Sequence, residues 1–226
     1  MSTSRLSTRH VVAIALLCAA GLAVAHAFAQ TPAEIAIGFA EMPVGAPPPG
    51  FTPGLTGGGG PVAWSIIDDS SAPGGRALAQ ASSDRTDNRF PIIFYDALSA
   101  RDVDVSVRFK ALAGKVDRAA GIIVRAQDAQ NYYVLRANAL EDNVNLYTVE
   151  KGRRHEIKGA RAKVPSEAWQ SLRLVVQGAR FEAFYNDQPV LTADDKTFAE
   201  PGKVGLWTKA DSITEFVDLA IRPLGP

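Results

Sequence analysis

The chain has 226 residues, in which 24 lysine and arginine residues balance 24 aspartate and glutamate residues. A neutral chain lacks the excess of positive charge that is typical of proteins that bind nucleic acid. A hydrophobic content of 46% is ordinary for a globular protein and supplies enough apolar side chains for one core. The length favours a single domain.

The N-terminus has the three parts of a secretory signal peptide. Arg5 and Arg9 form a basic start, Val11–Ala25 carries no charge, and an Ala-Phe-Ala sequence ending at Ala29 offers a cleavage site. The apolar run is shorter than the roughly 20 residues that a membrane-spanning helix needs. We therefore expect residues 1–29 to be removed, which leaves a periplasmic or secreted protein without a stable membrane span.

Cysteine and histidine usage limits the chemistry of the mature chain. The only cysteine, Cys18, lies in the predicted signal peptide, so disulfides, thiol catalysis and zinc–thiolate sites are excluded from the mature protein. His155 is the only histidine left after cleavage, which excludes a histidine triad for a metal. We predict no metal site and no cofactor, although calcium stays possible because several aspartates lie in predicted loops.

Residues 30–60 form a lead-in that we predict to be irregular. Proline and glycine are dense there, and Gly57–Gly60 is a run of four glycines. Phe39 and Phe51 are bulky aromatic residues in this segment, which suggests that part of it docks onto the main body. The main domain is predicted to span residues 61–226.

From Pro61 onward the pattern is short strands separated by turns. In Asp102–Phe109 polar and apolar residues alternate strictly, as in a half-buried strand, and Trp169–Gln177 alternates again. No segment outside the predicted signal peptide has the apolar period of a long helix, although a short helical turn is possible near residues 193–198. The pattern predicts an all-β sandwich or barrel.

Four sequence blocks carry a resemblance to a known superfamily. They are Asp117–Ile122, Asp128–Tyr133, Arg136–Asn143 and Val204–Ser212. The sequence from about residue 60 to 223 resembles the concanavalin A-like lectin/glucanase superfamily, and within it the bacterial laminin-G-like or 3-keto-disaccharide hydrolase-type domains. The resemblance implies a two-sheet antiparallel jelly-roll sandwich with one concave face, on which many relatives bind sugars.

Period-two alternation predicts which side chains share the outward face. On the first of three successive strands we expect Ile122, Val124 and Ala126 to face the core and Arg125 to point outward. The predicted ligand-binding residues are Arg125, Arg136, Asn138, Asn145, Tyr147, Trp207 and Lys209. Amide and guanidinium groups can bind sugar hydroxyls, and an aromatic ring can stack on the apolar side of a pyranose. Two arginines would also suit a carboxylate or sulfate.

The same residues allow other interpretations. A solvated face would pair its arginines with acidic residues across strands, and a covered face would form an interface with another protein. No catalytic residue is predicted, because the paired acids of related glucanases are absent, Glu141 and Asp142 lie in a predicted turn, and His155 lacks a partner. The first hypothesis is an exported, non-catalytic domain that binds a glycan or another small polar ligand. The alternatives are a glycoside hydrolase of the 3-keto-disaccharide type and a structural or protein-interaction domain.

Overall fold

The computed structural model describes residues 33–225, which fold into fifteen β-strands and one 3₁₀ turn at Pro73–Gly75. The strands are β1 Ile35–Ile37, β2 Phe51–Gly57, β3 Trp64–Asp68, β4 Arg76–Gln80, β5 Arg89–Ala100, β6 Val103–Ala113, β7 Ala119–Asp128, β8 Asn131–Asn138, β9 Asn143–Glu150, β10 Arg153–Arg161, β11 Gln170–Gln177, β12 Arg180–Tyr185, β13 Gln188–Asp194, β14 Gly202–Trp207 and β15 Ile213–Pro223. The predicted signal peptide and Cys18 lie outside the described residues.

The strands form two antiparallel sheets. One has the order β13-β12-β11-β6-β15-β4-β3, with β1 paired to β15 as its eighth strand. The other has seven strands in the order β10-β9-β8-β7-β14-β5-β2. Because many neighbours are distant in sequence, the chain crosses repeatedly between the sheets. This confirms the predicted all-β, two-sheet antiparallel jelly-roll sandwich.

The main core lies between the sheets and follows from the alternation in the sequence. On β6, Val105 and Val107 are buried, and they pair in register with Leu174 and Leu172 on β11. Asp104, the residue before Val105, lies on the opposite face, where it pairs with Arg173 of β11. Alternation therefore places one row of each strand in the core and the other on the outer face.

The lead-in contributes two strands that the prediction of an irregular segment did not include. β1 pairs with β15, and β2 pairs with β5 at the edge of the seven-stranded sheet. Pro53 is tolerated in β2 because an edge strand need not donate every backbone N–H group to a neighbour. Phe39 and Phe51 are buried in the main core, and the ring centroid of Phe51 lies 5.3 Å from that of Tyr95 on β5, which is the docking that their bulk suggested.

Two further observations concern helices. The short helical turn that the sequence allowed near residues 193–198 does not form. Strand β13 extends to Asp194, and residues 195–198 form an irregular connection. Within residues 33–225 no helix is long and apolar enough to cross a membrane.

Replacing Leu172 with alanine tests the inter-sheet core. Leu172 is fully buried, so Leu172→Ala should lower the free energy of unfolding by about 2–5 kcal/mol in urea denaturation. Val175 lies on the outer face of the same strand and is only partly buried, which makes Val175→Ala the matched control with a smaller loss. Equal losses for the two variants would contradict the assignment of faces on β11.

Candidate ligand-binding site

Six of the seven predicted site residues come together on the outer face of the seven-stranded sheet. The register places Asn145 of β9 beside Arg136 of β8, then Gly121 of β7, then Trp207 of β14. Tyr147 lies two positions from Asn145 and therefore shares its face. Asn138 lies two positions from Arg136, and Lys209 lies two positions beyond Trp207, the last residue of β14.

Arg125 does not join this set. It has a left-handed φ of 50°, and the pairing of β7 with β8 shifts register at this point, so a β-bulge reverses the alternation. Its guanidinium donates to the carbonyl oxygens of Arg101 at 2.7 Å and Phe198 at 3.0 Å and pairs with Asp102 at 3.1 Å. Ala126, expected in the core between the sheets, packs in the outer cluster instead. The outward orientation expected for Arg125 is therefore corrected, and its contacts are structural.

Aromatic side chains fill the middle of the outer face. Trp207 is fully buried and stacks on Phe90, with ring centroids 5.3 Å apart and planes inclined by 23°. The guanidinium carbon of Arg154, from β10, lies 4.4 Å from the centroid of the Tyr147 ring. Neither Trp207 nor Tyr147 presents an open face in this conformation, so the stacking platform expected from the sequence is covered.

Arg136 is almost fully buried beside these rings, and its hydrogen-bond partners contact Nη2. It donates to Glu141 Oε2 at 2.8 Å and to Asn143 Oδ1 at 2.7 Å. Its Nε has no hydrogen-bond partner among residues 33–225. Burial opposes ionisation of Glu141, but hydrogen bonds from Asn143 and Arg136 and the charge of Arg136 outweigh it and hold the pKa of this carboxyl below its usual value. Glu141 is therefore a carboxylate near neutral pH.

Asn138 and Lys209 are engaged by a buried carboxyl group. Asn138 donates to Asp117 Oδ1 at 2.9 Å and accepts from the backbone N–H of Leu140 at 2.8 Å. Lys209 Nζ lies 3.1 Å from Asp117 Oδ2 and 2.5 Å from Asp87 Oδ1. Burial raises the pKa of Asp117 despite the positive charge of Lys209. These contacts hold the turn after β8 and the segment after β14 together.

An open groove of about 500 Å³ lies at the β9–β10 edge of this face. It is lined by Glu141, Asn143, Asn145, Glu156, Gly159, Ala160 and Arg161. Of the residues predicted from the sequence, only Asn145 lines it. Asn145 donates to Tyr147 Oη at 3.0 Å and to Glu156 Oε2 at 2.8 Å, so the groove adjoins the buried aromatic cluster.

Gly159 gives Asn145 the space that it occupies. The two residues are paired across β10 and β9, and a Cβ atom on Gly159 would lie 2.7 Å from Asn145 Oδ1. Any side chain here would displace the amide. The absence of a side chain at position 159 therefore shapes the groove.

The groove offers amide, carboxylate and guanidinium groups within one small volume. Amides donate and accept hydrogen bonds, carboxylates accept, and guanidinium groups donate, so the groove suits hydroxyl groups, which do both. Among residues 33–225 no three histidine, aspartate or glutamate side chains are placed to hold a metal ion.

The sequence analysis placed no site residue on the β10 side of the groove, because the charged residues of Lys151–Arg161 resemble those of a solvated hairpin. The signal that could have found it is the two-residue turn at Lys151 and Gly152, which pairs β10 back onto β9 and places Glu156 opposite Tyr147. Glu141 was assigned to a turn, and its side chain does extend from the β8–β9 turn into the groove.

The fold and the face that carries the groove define a jelly-roll domain of the concanavalin A-like kind. Residues 56–222 match the sequence model of the 3-keto-alpha-glucoside-1,2-lyase-like domain, and the chain belongs to this family. No curated protein is significantly similar in sequence.

Three solved structures of similar fold are informative. A carbohydrate binding module of Bacillus subtilis, CBM66, is 20% identical with a TM-score of 0.61, over 76% of this chain and 95% of the module. Domain 4 of an extracellular arabinanase from Geobacillus stearothermophilus, solved with arabinotriose, is 15% identical with a TM-score of 0.54, over 84% and 91%. A putative glycosyl hydrolase from Parabacteroides distasonis is 12% identical with a TM-score of 0.50, over 78% and 94%.

Replacing Arg125 with alanine tests its structural role. Arg125→Ala removes a buried cation, so Asp102 loses its ion-pair partner and three carbonyl oxygens lose their donor. The free energy of unfolding should therefore fall by about 3–5 kcal/mol. Urea denaturation measures the loss. Arg153→Ala, at an exposed arginine on the edge strand β10, should change stability by no more than about 0.5 kcal/mol. A stable Arg125→Ala variant would contradict the structural assignment.

Proposed function

We propose that the protein binds a carbohydrate in the groove between β9 and β10 and that it does so outside the cytoplasm, after removal of residues 1–29. The observation that carries the proposal is the fixed orientation of the Asn145 amide. Two hydrogen bonds hold this amide at the groove wall, and Gly159, which has no side chain, leaves the space that it occupies. A polar group that is already oriented loses little freedom on binding, so its hydrogen bond contributes more to affinity.

The charges of this face favour a neutral sugar over a carboxylate or sulfate. Arg136 and Lys209 already have acidic partners, and so neither is a free anion receptor. Four cationic and four acidic side chains lie on or beside the face, and they are Arg136, Arg154, Arg161 and Lys209 with Asp87, Asp117, Glu141 and Glu156. An anionic ligand would therefore meet about as much repulsion as attraction.

The family and the similar structures support a sugar ligand. The family description names a 3-keto-alpha-glucoside, and two of the similar structures are a carbohydrate binding module and a domain solved with arabinotriose. The groove has enough hydrogen-bonding groups to engage several hydroxyls of one sugar unit. An α-glucoside, or its 3-keto form, is the ligand class that we propose first.

Replacing Gly159 with alanine tests the groove. The new methyl group would displace Asn145, so Gly159→Ala should weaken sugar binding about tenfold, corresponding to the loss of about 1.4 kcal/mol. Isothermal titration calorimetry with trehalose, 3-keto-trehalose and arabinotriose measures the change.

Gly38→Ala is the matched control, because a Cβ at this exposed position meets no atom within 4 Å. Its affinity should equal that of the wild type. Failure of the wild-type protein to bind any of the three sugars, or equal binding by Gly159→Ala, would refute the groove as the site.

A second candidate is elimination at a 3-keto-α-glucoside, which the family description favours. In such a step a base removes the proton at C2, which the neighbouring C3 ketone acidifies. The C–H electron pair forms the C1–C2 double bond, the C1–O bond breaks, and the departing oxygen takes up a proton. Glu156 is the candidate base, because its carboxylate lines the groove and accepts a hydrogen bond from Asn145.

Replacing Glu156 with glutamine separates the two candidates. Glu156→Gln keeps the size and a hydrogen-bond acceptor but removes the base, so 3-keto-trehalose should still bind while the release of glucose, followed by NMR, is lost. If the wild-type protein binds this sugar but leaves it intact over many hours, the lyase candidate is excluded and the binding function remains.

A further inference from the structure

We propose that Arg154 is a displaceable cover over a second part of the site. Beneath it lies a set of three aromatic side chains, Phe90, Tyr147 and Trp207, which we call the aromatic box. On displacement of Arg154, the box receives the apolar C–H face of one neutral pyranose ring. This inference rests on the proposed carbohydrate-binding function and extends it from the groove to the adjoining box.

The guanidinium of Arg154 forms the outer layer over the box. Its central carbon lies 4.4 Å from the ring centroid of Tyr147, 5.4 Å from that of Phe90 and 5.8 Å from that of Trp207. The three rings are buried, whereas Arg154 is only half-buried. Moving this one side chain therefore exposes aromatic surface.

Arg154 is held less firmly than the other buried cations of this face. Arg136 and Lys209 each have carboxylate partners, but within residues 33–225 no carboxylate lies within ion-pair distance of Arg154. Its Nη1 is buried and has no hydrogen-bond partner among the same residues. A buried N–H without an acceptor opposes the closed position, and cation–π contacts near a surface are weak, so the cover can be displaced at low cost.

Arg154 lies next to the groove, on the same face of the sheet. It lies on β10, which among residues 33–225 pairs with β9 alone and has a bulge between Glu156 and Lys158. Glu156 is two residues further along and therefore shares its face, and its side chain lines the groove. The box is thus continuous with the groove through Tyr147, which Asn145 also contacts.

The chemistry under the cover is that of a sugar subsite. The rings of Tyr147 and Trp207 offer apolar faces to the C–H groups of a pyranose. Nη1 of Arg154 is a buried donor without a hydrogen-bond partner among the described residues. A bound hydroxyl would supply the acceptor that it lacks. An aromatic surface with an unpaired donor beside it matches a ring with one apolar face and a hydroxyl rim.

Acrylamide quenching of tryptophan fluorescence tests the cover in the absence of sugar. Arg154→Ala should increase quenching, and the increase should be absent in a Trp207→Phe background, where Trp64 and Trp169 remain. Arg153→Ala, at the adjacent exposed arginine, should leave quenching unchanged. Arg154→Gln, which keeps a polar side chain of similar reach, provides a second variant if the alanine variant is poorly folded. Unchanged quenching in the folded variants would overturn the proposal.

Titration with trehalose and 3-keto-trehalose tests occupation of the box. Sugar should change the fluorescence of the wild-type protein but not of Trp207→Phe. By calorimetry, Tyr147→Ala should bind about tenfold more weakly than Tyr147→Phe, which keeps the ring and loses only the hydrogen bond to Asn145. If calorimetry detects sugar, and Gly159→Ala weakens its binding, but Trp207 fluorescence is unchanged and Tyr147→Ala binds as well as Tyr147→Phe, the cover proposal fails while the groove remains. If neither sugar binds, both proposals fall.

Discussion

The seven-stranded sheet buries side chains on both of its faces, and this double burial governs what the site can be. On β8, Leu135 packs between the sheets while Val134 packs on the outer face, and both are fully buried. Polar side chains in such a sheet must find partners within the protein, because a buried unpaired charge is costly. Arg136, Asn138 and Lys209 do so, and the accessible polar groups are displaced to the β9–β10 edge.

This arrangement changes the meaning of a cluster of polar and aromatic residues. A tryptophan and two arginines near one another suggest an exposed binding surface when only the sequence is known. In the structure Trp207 is stacked on Phe90, Arg136 is bound to Glu141, and only the rim of the cluster is open. The aromatic and guanidinium groups therefore form a second core on the outer face of the sheet. This core adjoins the groove, and Tyr147 fixes the orientation of Asn145 by a hydrogen bond.

The sequence predicted the fold and most of the face but not the open part of the site. Strict alternation in β6 and β11 was sufficient for an all-β sandwich or barrel, because alternation is a local feature of the sequence. The resemblance to a known superfamily then selected the two-sheet sandwich. Arg125 was misplaced because a bulge depends on pairing with a neighbouring strand, which alternation along one strand cannot reveal. Glu156 and Gly159 were missed because charged residues of a paired edge strand resemble those of a solvated hairpin.

The edge position of β10 also bears on how the protein behaves at high concentration. An exposed edge strand has free backbone donors and acceptors, and another chain can pair with it and begin aggregation. Charged side chains and a bulge oppose such pairing, and β10 has Arg153, Lys158 and Arg161 as well as a bulge after Glu156. The strand beside the groove is thus under a second constraint, colloidal stability. Apolar substitutions that tighten ligand binding along β10 would come at the expense of solubility.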